Sequence, residues 1–209
     1  MFGSSGETVV EGIVKSSCAL VLAAVLVTSL PAYAFDAGAV PAIKRTKLQQ
    51  YFSAKEAAEF LEKNSSTSLF LDIRSPAETA FVGMPAMVDA NVPYMVAPDF
   101  PVWDEARSTL KLELNPDFLP EVRRRLSAKG LTPDSPVVLI CRSGDRSAAA
   151  SNLMAEAGFK TVYTVVDGFE GDLAADGPNA GRRVVNGWKN AGLPWSYRLE
   201  KSKMYKLDK

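Results

Sequence analysis

The amino-acid sequence predicts an α/β fold, a parallel sheet with helices on both faces, organised as a single domain with insertions. Three observations lead there. Residues 69–73 and 137–140 are short, almost continuously apolar runs, the pattern of strands buried on both faces, and 161–166 is rich in β-branched residues. The segments between them carry helix-opening and helix-closing residues, and strands that alternate with helices assemble into a parallel sheet whose functional loops leave the C-terminal strand ends. At 209 residues and 47% hydrophobic composition, the chain can bury one good core but hardly two.

The elements follow in order. Residues 1–34 read as an export signal: 18–30 is an apolar stretch preceded by Lys15, and Pro31-Ala32-Tyr33-Ala34 supplies an A-x-A cleavage site. That stretch is too short for a membrane span, which needs about 20 apolar residues. Glu7 and Glu11 precede Lys15, which is unusual for a signal, and points to a translation start further downstream, near Val14. Residues 35–42 are a small-residue linker, 43–197 the folded domain and 198–209 a basic tail, which the sequence presents as a solvated extension. Ser53 and Glu56 form a capping box that opens an amphipathic helix to about 63, followed by the strand at 69–73 and a candidate strand at 91–94. Segment 95–114 carries Phe100, Pro101, Val102 and Trp103, too many large apolar groups for a plain solvent loop, so they extend the core or line a lid; the core is the reading taken here. Asn115 and Pro116 open a second helix, as N-cap and first-turn proline, that runs to about 129 and closes at Gly130. The strand 137–140 then delivers a cysteine, a helix from 147 to 157 closes at Gly158, and 161–166 is the last strand.

The chemistry centres on Cys141-Arg142-Ser143-Gly144-Asp145-Arg146-Ser147, a short polar loop between strand and helix. Loop amides and the N-terminus of the following helix would direct partial positive charge at the sulfur, and Arg142 and Arg146 add formal charge. Such surroundings favour a thiolate below the free-cysteine pKa of about 8.5. Two arginines, a glycine and an aspartate make a poor hydrophobic pocket, so a buried, inert thiol is the less favoured reading. Arg142 stands next to the nucleophile and is the side chain best placed to meet an anionic donor. Arg146 either anchors the loop to an acid such as Asp72 or contacts substrate directly. Asp145 either tunes the loop's charge or fixes its turn, the turn being favoured, and Asp72 and Arg74 read as framework residues that pair or cap backbone near the site, with a direct functional role the less favoured reading.

At these residues the chain resembles the rhodanese family of sulfurtransferases, whose single-domain members often carry C-R-S-G-x-R-S. Phe70-Leu71-Asp72-Ile73-Arg74 resembles the family's first signature, with Glu78 at its acidic position, and Gly187-Trp188-Lys189-Asn190-Ala191-Gly192-Leu193-Pro194 resembles the C-terminal W-x-x-A-G-L-P helix and turn. The resemblance covers about 43–197. It implies a rhodanese-like fold and a two-step transfer of sulfane sulfur: a Cys141 thiolate takes sulfur from a thiosulfate-like donor, the loop amides from Arg142 to Ser147 hold the anionic sulfur, and the persulfide passes it to a thiol, a cyanide-like acceptor or a sulfur-accepting protein. Two departures stand out. Residues 83–93 lack the family's histidine and carry extra residues, and 172–186 is inserted between Asp167-Gly168 and Trp188.

Composition excludes much else. A formal net charge of +0 gives no electrostatic case for nucleic acid or an acidic membrane surface. Histidine is absent altogether, which removes the Cys/His pair of cysteine proteases and the ligands of most catalytic zinc sites. No P-loop, dinucleotide-binding glycine run or metal-ligand cluster implies a cofactor. Loss of residues 1–34 would remove Cys18 and leave Cys141 as the single thiol of an exported, periplasmic protein, in contact with the membrane only through an uncleaved signal. Two alternatives share Cys141: a persulfide carrier that exchanges sulfur with protein partners, and a phosphatase. The second is disfavoured because four residues rather than five separate Cys141 from Arg146, and the shorter loop suits a single sulfur atom better than a phosphoryl group.

Overall fold

The computed structural model describes residues 1–3 and 35–207, and the fold is that of 35–207. Residues 4–34 of the segment read as an export signal, with its cysteine at position 18, lie outside the described residues.

In chain order the elements are β1 (Tyr51–Phe52), α1 (Ala54–Asn64), β2 (Leu69–Asp72), α2 (Pro76–Val82), β3 (Met84–Pro85), β4 (Ala90–Asn91), β5 (Met95–Val96), β6 (Trp103–Asp104), β7 (Thr109–Leu110), β8 (Glu113–Leu114), α3 (Phe118–Ala128), β9 (Val137–Ile140), α4 (Asp145–Glu156), β10 (Val162–Val165) and β11 (Trp195–Ser196). The central sheet has the order β1-β10-β9-β2-β4 with every neighbouring pair parallel.

The apolar runs explain the layering. Successive strand side chains point to opposite faces, so Leu69, Leu71, Val137 and Leu139 pack with Phe118, Val122 and Leu126 of α3 and with Ala150 and Met154 of α4. Phe70, Val138 and Ile140 face the other way, against Ala57, Ala58 and Leu61 of α1 and against Trp188. Helices therefore cover both faces. The capping box at the start of α1 forms as the sequence requires: Ser53 Oγ accepts from Glu56 N at 3.3 Å, and Glu56 accepts from Ser53 N at 2.7 Å. A second box, Ser75 with Glu78, opens α2.

Several expectations are corrected. Segment 95–114 is not core: Phe100, Trp103 and Leu110 are 83%, 51% and 55% exposed, on an excursion in which β5 pairs with β8 and β6 with β7, antiparallel. Trp103 and Leu110 face each other across the β6–β7 pair, whereas Phe100 lies in the bend between β5 and β6. The basic tail is not a solvated extension: Met204 is 5% exposed, Arg125 donates to the carbonyls of Ser202 and Met204, and Tyr205 donates to Asp117. The lead-in 35–42 holds Val40 at 1% exposure against Tyr51 and Val166, so it is packed chain and not a loose linker. The residues after Trp188 form turns rather than a helix. The helix expected at Asn115 starts at Phe118, because Asn115 first caps a turn by accepting from Asp117 N at 3.0 Å.

Candidate active site

Cys141 leaves the C-terminal end of β9 in the middle of the sheet. The helix that follows begins at Asp145, two residues earlier than the sequence indicated, so the loop proper is only Cys141 to Gly144 and Asp145 opens the helix instead of fixing a turn. The reason is Gly144. It takes φ +102°, a conformation that side-chain-bearing residues rarely adopt, and this reverses the chain sharply enough to start α4 at once. A Cβ at Gly144 would lie 2.2 Å from Val166 O. The reversal brings Gly144 N to 3.1 Å from Cys141 Sγ, so one loop amide donates directly to the sulfur. Ser147 Oγ lies 3.6 Å from the sulfur and donates to Gly144 O at 2.8 Å.

The thiol is buried, at 1% exposure, and packs with the apolar cluster of the α3 and α4 face. The sequence led to the opposite expectation, since the loop residues are polar. Arg142 and Asp145 are exposed, while Ser143 and Ser147 are buried with the sulfur, whose polar contacts are the Gly144 amide and the Ser147 hydroxyl.

A polar frame carries the loop. Arg146 does not anchor to Asp72; it forms a two-pronged pair with Glu78, at 2.8 and 2.5 Å, while Glu78 also caps α2 through Ser75. Burial alone would raise the Glu78 carboxyl, but the hydrogen bonds and charge of Arg146, with help from Ser75, overcome it and hold the group at about 2. Arg146 rises in turn, its own burial penalty outweighed by bonding to Glu78 and by the charges of Glu78, Cys141 and Asp72. Asp72 and Arg74 pair with each other at 2.5 Å, both fully buried. Arg74 also donates to Gly83 O at 2.7 Å and stacks 4.1 Å from the centre of the Phe169 ring, and Asn91 Nδ2 donates to the carbonyls of Asp72 and Arg74.

The outer wall is segment 168–172. A Cβ at Gly168 would meet Ser143 N at 2.5 Å, so only glycine lets this segment lie against the loop. Phe169 N donates to Cys141 O at 2.8 Å, and Glu170 N donates to Arg142 O at 2.9 Å. Lys44, 6% exposed, lies across the far side and donates to Val166 O at 3.0 Å and to Asp172 at 2.8 Å. Among the described residues no group of three metal-ligating side chains comes together.

Residues 53–175, more than half of the chain, match the rhodanese-like domain family. This chain belongs to that family. It is 33% identical to Rv0390 from M. tuberculosis, whose crystal structure superposes with a TM-score of 0.53 over 71% of this chain and 98% of the other. An uncharacterised protein of Rickettsia prowazekii is 29% identical over 150 residues, 72% of this chain and 99% of its own. The chloroplastic rhodanese-like domain-containing protein 9 of Arabidopsis thaliana is 32% identical over 81 residues, 39% of this chain and 32% of its own.

The rhodanese-like core supplies the cysteine loop, Glu78 and Gly168, whereas Lys44 and the end of the 172–186 insertion lie outside the matched span. Sequence reasoning singled out Cys141 to Ser147, Asp72 and Arg74; the structure places Gly144 and Ser147 against the sulfur, leaves Arg142 and Asp145 exposed, turns Arg146 to Glu78 and pairs Asp72 with Arg74. It missed the partner of Arg146, the tie from Lys44 and the glycine at 168. Of these, only Glu78 carried a usable signal, a capping-box acid close in sequence to the strand end.

Proposed function

We propose that this protein is a sulfurtransferase that carries sulfane sulfur on Cys141. The carrying observation is the Gly144 amide 3.1 Å from Cys141 Sγ, on a loop that forms the mouth of a rhodanese-like sheet. Such a donor stabilises negative charge on sulfur as an oxyanion hole does on oxygen. In the first half-reaction the Cys141 thiolate attacks the outer sulfur of thiosulfate or a similar small donor; the new S–S bond forms as the donor's S–S bond breaks, and sulfite leaves with the electron pair. In the second, the acceptor attacks the terminal sulfur of the persulfide and the thiolate is restored, with no outside oxidant or reductant. Ser147, donating to Gly144 O and lying beside the sulfur, holds both in place. A thiol at 1% exposure favours slim donors over bulky ones. The export reading of residues 1–34 supports a periplasmic site of action.

The test is the intact mass of the protein before and after thiosulfate, beside Cys141→Ser and a thiocyanate assay with cyanide as acceptor. A gain of one sulfur atom on wild type alone, with thiocyanate turnover, is the expected result. Sulfur uptake without turnover would favour a carrier, and failure to load from any sulfane donor would overturn the proposal.

A further inference from the structure

The 172–186 insertion is pinned where it leaves and rejoins the fold. A Cβ at Gly171 would lie 1.8 Å from Asn186 O, and one at Gly187 would lie 2.5 Å from Gly171 N, so the two ends of the segment touch backbone to backbone. Asp172 N donates to Asn186 Oδ1 at 2.8 Å, Asn186 Nδ2 returns a bond to Asp172 at 3.0 Å, and Lys44 binds the same carboxylate. The neck is held on three sides, and it stands directly on the cysteine loop, because Gly171 N approaches Arg142 O at 3.3 Å.

From that neck the insertion returns Arg183, whose Nη1 donates to Gly171 O at 2.6 Å. One residue, Gly171, therefore links the Arg183 guanidinium to the backbone of Arg142, the exposed cation next to the nucleophile. Among the described residues neither arginine has a carboxylate within ion-pairing distance. Asp172, the acid that could have neutralised Arg183, is turned to Lys44 and Asn186. Glu170, Asp172 and Asp145 favour the charge of Arg183 only from further away. Burial and the like charge of Arg142 together push its guanidinium below the ordinary arginine value. An unpaired, partly desolvated guanidinium with spare donors beside a second one is a poor arrangement for stability alone and a good one for a multiply charged oxyanion.

We propose that Arg183 and Arg142 together form the binding site for the oxyanion end of the sulfur donor, so that the insertion selects sulfonate-type donors such as thiosulfate. This rests on the sulfurtransferase reading for its chemistry, but the anion site is independent of turnover. Arg183 holds the leaving sulfite group while the outer sulfur reaches Cys141.

The experiment measures two quantities on Arg183→Ala and on the neighbouring control Arg182→Ala. The first is the preference, as kcat/KM with cyanide as acceptor, for thiosulfate over an alkyl persulfide that has no oxyanion group. The second is the Kd of thiosulfate for the same variants in a Cys141→Ser background, by calorimetry. Arg183→Ala is expected to lower the preference about tenfold, through KM, and to weaken binding by a similar factor, the scale of one charge-assisted contact. Arg182→Ala is expected to change neither, and Arg183→Lys to recover part of the loss. Unchanged preference and Kd in Arg183→Ala would overturn the proposal and leave the sulfurtransferase reading standing. Arg183-dependent thiosulfate binding in a protein whose wild type never loads sulfur would do the reverse.

Discussion

The frame beneath Cys141 and the 95–114 excursion are built from opposite materials. The frame buries Asp72, Arg74 and Asn91 completely and Lys44 almost so, whereas the excursion exposes Phe100, Val102, Trp103 and Leu110. Hydropathy would have assigned them the other way round. What decides is the ends of the strands. Where β2 and β9 stop, carbonyls and amides emerge without ladder partners, and buried backbone groups must be satisfied. Asn91 donates to the carbonyls of Asp72 and Arg74 at the end of β2, Arg74 donates to that of Gly83 where α2 ends, and Glu78 supplies an acceptor to α2 and α4 at once. The excursion satisfies its backbone within its own hairpins, so its side chains are left over for solvent.

The largest effect is expected where the frame is broken from inside. Arg74→Met keeps much of the volume but strips Asp72 of its partner at a fully buried position. A buried charge left alone typically costs about 3–5 kcal/mol, a large share of the stability of a domain this size. Chemical denaturation should show that loss, and a fall of less than about 1 kcal/mol would mean that the frame is not what supports the site.

This contrast also marks how far the sequence carried the reading. The sheet, its helices and the cysteine loop were legible because each rests on a local pattern: apolar runs at 69–73 and 137–140, the Ser53 to Glu56 box, a cysteine followed by glycine at a strand end. The burial of Cys141 and of Lys44 was not, because it depends on Gly144 and Gly168 allowing separate stretches of backbone to approach, and approach is a property of the fold. The core assignment for Trp103 failed for the complementary reason. Hydrophobicity states what a residue would gain by burial, not whether the chain offers it a place.

A smaller effect, and one with a pH signature, comes from the Glu78–Arg146 clamp. The Glu78 carboxyl is depressed from 4.5 to about 2, so its contribution to stability is fully present above pH 4.5 and is lost as pH falls toward 2. Converted at about 1.4 kcal/mol per pH unit and reduced for partial solvent contact, that is on the order of 2 kcal/mol at neutral pH. Glu78→Gln should therefore be less stable than wild type at pH 7 by that amount, and the two unfolding curves should converge as the pH approaches 2. A constant gap across that range would show that Glu78 acts through its size and hydrogen bonds alone. The same variant should load sulfur more slowly, since Arg146 lies on the first turn of α4 and its release would loosen Gly144 against the sulfur.

The smallest effect is expected where the sequence is most apolar. Trp103 faces Leu110 across the β6–β7 pair, and both are more than half exposed. A cross-strand pair of this kind is worth about 0.2–1 kcal/mol, and that is local to the hairpin. Replacing both with threonine keeps β propensity while removing the apolar surface, so global stability should change by less than about 0.5 kcal/mol and the rate of sulfur uptake by Cys141 should stay at the wild-type value. A drop in uptake with stability intact would reveal that the excursion reaches the cysteine mouth during turnover, which is the lid role the sequence left open. A drop in stability would instead mean that the exposed face is a packing surface in solution, and light scattering on the wild type and the double variant would separate the two, because a surface that packs only against another copy must change the measured mass.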